Sequence, residues 1–149
     1  MTRPPPPAAS RTLLGMFCIP LLLSTTGAFG AQLTIVVDNI ESPDGQLMVA
    51  VLDSELAFAG QAPAVLSVLM PPQLGQVSFS TDALPAGEYA VRVMQDENGN
   101  GDMDENMVGM PTEPWGFSNN AIGNFGPPGW TDISFKLDDE ASISIKLNH

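Results

Sequence analysis

The sequence predicts an all-β protein, a single antiparallel β-sandwich of about seven strands with one long ordered loop. Three observations predict it. Short runs of alternating apolar and polar residues recur between turn-forming residues, and no stretch sustains the helical period of 3.6 residues. The crossover helices that a parallel α/β sheet requires are also missing from the pattern.

Taken in order, Gln32 to Asn39 alternates Leu33, Ile35 and Val37 with Gln32, Thr34 and, less cleanly, Val36, as a strand with one core-facing side does. Asp44-Gly45 is a turn dipeptide, and Gln46 to Asp53 then places Leu47, Val49 and Val51 in one register. These two strands are expected to form a hairpin. Ser54 to Pro63 reads as a short helical turn or loop. Val65 to Met70 is a third strand stopped by Pro71-Pro72, and Gly75 to Ser80 a fourth, with Val77 and Phe79 on one side. Leu84-Pro85-Ala86-Gly87 turns the chain into Glu88 to Gln95, where Tyr89, Val91 and Val93 alternate with Ala90, Arg92 and Met94. From Asp96 to Asp132 the chain is rich in Gly, Asn and Pro. Trp115, Phe117, Phe125 and Trp130 give this long loop the apolar material to be ordered. Ile133 to Leu137 and Ser142 to Leu147, joined by Asp138-Asp139-Glu140, are expected to close the fold as a last hairpin. The spacing suits a transthyretin-like or immunoglobulin-like sandwich.

Residues 1–30 differ in kind from the rest. Arg3 and Arg11, the absence of carboxylates, an apolar run from Leu13 to Leu23, and Ala28 and Gly30 as small residues at the −3 and −1 positions predict a signal peptide cleaved after Gly30. The run is roughly half the ~20 residues a membrane span needs, and Pro20 interrupts it. The expected product is one domain, residues 31–149, periplasmic or secreted, with no membrane insertion after cleavage and without Cys18, the chain's sole cysteine. No disulfide can then form, so stability must come from apolar burial or a metal.

Cleavage leaves 17 carboxylates against Arg92, Lys136 and Lys146, a formal net charge of −14. Such a surface repels nucleic acid and anionic membranes, whose binding depends on Lys and Arg. A monomer with a cell-envelope glycan or protein as partner is expected.

The acidic loop carries the clearest chemistry. In Asp96-Glu97-Asn98-Gly99-Asn100-Gly101-Asp102-Met103-Asp104, oxygen-bearing side chains fall at positions 1, 3, 5 and 9, with Gly at position 6 and a main-chain carbonyl offered by Asp102 at position 7. This is the spacing with which a loop wraps Ca2+, and hard oxygen ligands suit calcium rather than zinc. Met107 stands at position 12, where an EF-hand has a bidentate Glu, so a further ligand would have to come from Glu105, Asn106, Glu113 or water. Asn-Gly and Asp-Gly dipeptides also build tight turns with no metal. The calcium reading predicts an affinity in the weak class of extracellular modules, roughly 10⁻⁴ to 10⁻³ M.

Beyond it, Trp115, Phe117, Asn119, Asn120, Phe125 and Trp130 interleave aromatic faces with amides. They are candidate residues for stacking on and hydrogen-bonding a sugar or peptide, or for packing as a lid over the sandwich. Catalysis has little support. The sole histidine is His149, no cysteine nucleophile survives cleavage, and the carboxylate pair Asp104 and Glu113 would arise by chance among 17 acids. The chain is not expected to be an enzyme; a hydrolase is the remote alternative.

At these residues the chain resembles the uncharacterised bacterial family called domain of unknown function 2141 (DUF2141). The resemblance runs from Leu33 to Leu147. It rests on Leu84-Pro85-Ala86-Gly87-Glu88-Tyr89-Ala90-Val91, the acidic loop, Gly109-Met110-Pro111, Glu113, Phe125-Gly126-Pro127-Pro128 and above all Gly116-Phe117-Ser118-Asn119-Asn120. It implies an exported single-domain β-sandwich without catalytic residues to transfer. Where that family tends to place Lys after the Asn-Gly, this chain has Asp102, which makes its loop more acidic.

Overall fold

The computed structural model describes Met1, Thr2 and residues 30–149; the expected signal peptide, Cys18 included, otherwise lies outside the described residues. In chain order the elements are β1 (Ala31–Ile40), β2 (Gln46–Leu52), α1 (Glu55–Phe58), β3 (Leu66–Met70), β4 (Gly75–Leu84), β5 (Gly87–Asp96), β6 (Trp115–Phe117), a 3-10 turn (Ser118–Asn120), α2 (Trp130–Ile133), β7 (Phe135–Leu137) and β8 (Glu140–Lys146). They form two packed sheets. The small sheet runs β4-β1-β8, and the large one β3-β2-β5-β6, with β7 pairing with β5 on the edge that β6 also occupies.

Alternation decides what lies between the sheets. Leu33, Ile35 and Val37 of β1, Leu47, Val49 and Val51 of β2, Tyr89, Val91 and Val93 of β5, and Ile145 of β8 point into one core, almost without exposure. Burying a Leu, Ile or Val side chain fully contributes about 1.5–3 kcal/mol, so this layer is the main force holding the sheets face to face. The Tyr89 hydroxyl donates to the Pro85 carbonyl at 2.9 Å, anchoring the turn that feeds β5.

Both expected hairpins are corrected. β1 pairs with β4 and β8, whereas β2 pairs with β3 and β5, so the first two strands face each other across the core. The last two behave alike, β7 pairing with β5 and β8 with β1. Alternation reports which side of a strand is buried, and that pattern is the same for a lateral neighbour and for a strand opposite. The local device is Asn39. Its φ of 66° coincides with the register shift between Asp38 and Ile40; Ile40, opposite Gly75, is the last residue paired with β4 before the chain crosses to β2.

The sandwich is also not wholly antiparallel. β1 and β8 run parallel from Gln32 opposite Glu140 to Asp38 opposite Lys146. A parallel pair needs a long connection, and here the intervening strands supply it. Finally, the expected loop 96–132 contains structure of its own. β6 adds an eighth strand, and Ile133, expected to start a strand, ends α2 with its side chain fully buried.

Candidate functional site

β5 ends at Asp96, which launches the acidic loop. Both Asp96 oxygens are engaged: Oδ1 accepts from the main-chain N–H of Gly99 (2.8 Å) and Asn100 (3.1 Å), and Oδ2 from that of Gly101 (2.9 Å) and from Gln46 Nε2 (3.4 Å). Burial alone would raise its pKa. The N–H of Gly101, the Gln46 side chain and the N–H groups of Gly99 and Asn100 outweigh burial and hold the carboxyl below its ordinary value. Gly101 adopts φ 85° at position 6, the backbone state that glycine takes without strain. Gly45 packs under the loop root, where a Cβ would stand 1.8 Å from the Asp96 carbonyl oxygen.

Of the candidate ligands, Asn98 and Asn100 converge on Asp104, whereas Asp96 is turned to main-chain N–H groups. Asp104 Oδ2 accepts from Asn98 Nδ2 and Oδ1 from Asn100 Nδ2 (3.1 Å). Asn98 Oδ1 accepts from the Asn100 N–H (2.9 Å), and Asn100 Oδ1 from the Asp102 N–H (2.8 Å). The Asp102 side chain is exposed. Glu113 closes the loop from far along the chain. It is 5% exposed, and its oxygens accept from the N–H groups of Glu97 (3.0 Å) and Asp104 (3.2 Å). Glu113, one of the further ligands the sequence offers, reaches position 9 across an irregular turn held by Asn106. Of the hydrolase pair, Glu113 is thus held by two main-chain donors beside Asp104.

Tested against Ca2+, which takes 6–8 oxygens, the loop offers Asp96, Asp104, the Asp102 carbonyl and the two asparagines. Each asparagine would have to turn its oxygen inward, exchanging a local turn for coordination. Among the described residues no three His, Cys, Asp or Glu side chains are gathered into a metal-holding group. Asp104 is the carboxylate on which both asparagine side chains converge, while the Asp96 oxygens face main-chain N–H groups.

The candidate aromatic and amide residues divide into three groups. Asn119 Nδ2 donates to the carbonyls of Asp132 (3.0 Å) and Ser134 (2.9 Å). Asn120 Nδ2 donates to the Ser144 carbonyl (3.2 Å) and its Oδ1 accepts from the Lys146 N–H (2.7 Å). Both hold positive φ, 61° and 51°, which asparagine tolerates. With Ser118, whose hydroxyl accepts from the Val91 N–H (2.9 Å) and donates to the Ile133 carbonyl (2.5 Å), they clasp β5, α2 and the edge of β8 together. Trp130 packs with Phe58, Phe117 and Ile133 in a second apolar cluster on the outer face of β5. Phe58 meets Phe117 edge-on at 5.8 Å, and Trp115 meets Phe117 at 5.6 Å.

Trp115, Phe117 and Phe125 belong to a groove that sequence reasoning did not delineate. Register places Leu69, Met48, Met94 and Trp115 in one row across β3, β2, β5 and β6, and Ser67, Ala50, Arg92 and Phe117 in the next. This outer face forms the floor. The acidic loop and its continuation, with Met103, Val108 and Met110, wall one side, and Ile122, Phe125 and Pro127 another; the groove holds about 1050 Å³. Its signal was available, because Met48 and Met94 occupy positions where an alternating strand facing water should be polar.

Fold and site together define a small β-sandwich domain whose outer sheet face carries a loop-walled apolar groove beside a self-capped acidic loop. The chain belongs to the family described as an uncharacterized protein conserved in bacteria (DUF2141), whose model matches residues 35–145. Against curated proteins and against solved structures the chain shows no match.

Proposed function

We propose that the chain is an exported binding module whose ligand seat is the groove on the outer face of the large sheet. One observation carries the reading. The groove of about 1050 Å³ is rimmed by apolar side chains left in water, among them Leu69 at 61% and Met110 at 55% exposure. Contiguous exposed apolar surface marks an interaction site, since isolated apolar residues would need no shared hollow. An apolar ligand is favoured over the glycan alternative, because the amides of Asn119 and Asn120 are taken up by the main chain. A peptide laid along the groove is a second occupant of the same seat. No catalytic step belongs to the proposal.

The test is binding of an uncharged apolar fluorophore, N-phenyl-1-naphthylamine. Saturable, blue-shifted emission is expected, and Leu69→Glu with Met110→Glu should abolish it while leaving the fold intact, both side chains being exposed. Emission unchanged by that double variant would overturn the reading.

A second element of the proposal is that Ca2+ stabilises the acidic loop as one wall of the groove. Its support is the convergence of Asn98 and Asn100 on Asp104 around a loop capped by Asp96. Millimolar calcium is expected to raise the melting temperature, and Asp96→Ala with Asp104→Ala to abolish the rise. An unchanged wild-type melting temperature would leave the loop as a hydrogen-bonded turn alone.

A further inference from the structure

Arg92 is one of three basic residues in residues 31–149, against 17 carboxylates. Its side chain is exposed on the outer face of β5, in a chain where acids are plentiful. Among the described residues, however, the single ion pair joins His149 to Glu41 at 3.8 Å, and the Arg92 side chain makes no hydrogen bond. Its cross-strand neighbours on the floor are Ala50 and Phe117. It lines both the groove and an adjoining hollow of about 530 Å³ bordered by Phe58 and Trp130. Glu55 borders that hollow as well without pairing with Arg92. A fork of N–H donors therefore stands unengaged at one end of an apolar channel.

The channel is polar along its length. From Arg92, Met94 lies two residues along β5 and Asp96, the root of the acidic loop, four residues along. At about 3.4 Å per residue, the root of the acidic loop, whose Asp102 and Glu105 line the groove, lies roughly 14 Å along β5 from Arg92. Between them lie the thioethers of Met48 and Met94, with Met103 and Met110 on the facing wall. Unbranched, polarizable side chains of this kind adapt to a flexible apolar chain.

We propose that the groove takes a single-chain amphiphile of the fatty-acid class, its carboxylate on Arg92 and its acyl chain along the methionines toward the acidic loop. This rests on the groove being the ligand seat. The reversed orientation would set the anion against Asp102 and Glu105, which border the other end. A guanidinium matches a planar carboxylate with two parallel hydrogen bonds. The strongly acidic surface selects for low ligand charge, because repulsion grows with each added negative charge; a monoanion is admitted where a phosphate dianion or an anionic bilayer is repelled.

The test is calorimetric titration of the purified chain with decanoate, decanol, decyl phosphate and decyltrimethylammonium, each below its micellar concentration. Decanoate is expected to bind at least tenfold tighter than the other three. Arg92→Met, which keeps the apolar stem, should weaken decanoate at least tenfold and leave decanol unchanged, and Arg92→Lys should fall between. Circular dichroism melts establish that both variants fold, and the lysine variant keeps the test decisive if the methionine variant does not. Decanoate and decanol binding alike, with both variants silent, would overturn the assignment while the groove stands. Tighter binding of decyl phosphate would overturn the choice of a monoanion. Failure of every decyl compound to bind, together with no N-phenyl-1-naphthylamine signal, would remove the groove itself.

Discussion

Ser118→Ala is the substitution whose cost follows most directly from the fold. β5 changes neighbour along one edge, from β7 opposite Gly87 to Tyr89 to β6 opposite Arg92 to Met94. Val91 falls in the gap and has no strand partner there. The Ser118 hydroxyl fills it, accepting from the Val91 N–H at 2.9 Å and donating to the Ile133 carbonyl at 2.5 Å, with Ser118 itself fully buried. Alanine would leave a buried N–H without a partner, costing about 1–3 kcal/mol, and would remove one further hydrogen bond worth about 1 kcal/mol. The expected loss is about 2–4 kcal/mol. For a domain of this size that corresponds to a fall in melting temperature of roughly 10 °C. Urea unfolding followed by tryptophan fluorescence should show a lower midpoint at unchanged slope. Ser144→Ala is the control. Its hydroxyl donates to Asp38 in an exposed setting, so a change within about 0.5 kcal/mol is expected. A Ser118→Ala loss as small as the control's would refute the clasp, because it would mean that water satisfies Val91 equally well.

Two further outcomes follow from the loop. The Asp96 pKa is lower folded than unfolded, so its contribution is complete above the ordinary aspartate value of about 3.9 and disappears as pH falls through its own lower value. In chelator, stability should therefore drop with acid below about pH 4, and Asp96→Asn should flatten that limb; an identical acid limb in both proteins would contradict the capping. Gly45 sits at φ 70° with the Asp96 carbonyl 1.8 Å from any Cβ. Gly45→Ala should destabilise by at least about 2 kcal/mol, from left-handed strain plus a clash with main chain, and a neutral result in thermal melts would show that the loop root shifts freely.

Much of this molecule is legible in its amino acids, and the failures have a common cause. Each of the seven predicted strands is present, because a two-residue period over Leu33, Ile35 and Val37 or over Tyr89, Val91 and Val93 can bury one face in only one way. The strand partners at both ends of the chain are not legible in it, since period 2 carries no information about which strand lies alongside. β6 is not legible in the sequence because three residues are too few to display a period. Trp115, Phe117 and Phe125 could be singled out by type, whereas their division from Asn119, Asn120 and Trp130 depends on which groups the main chain engages.

The chain alone determined its class, its acidity, the loop at Asp96 to Asp104 and its family, because these depend on local periodicity, counted charges and short-range spacing. Tertiary structure alone decided that β1 and β2 face each other across the core, that Glu113 rather than Glu105 or Asn106 closes the acidic loop, and that Arg92 stands without a partner among the described residues, beside methionines from three segments of chain. Those facts arise from contacts between residues distant in sequence. Such contacts are chosen by the packing of the two sheets as a whole.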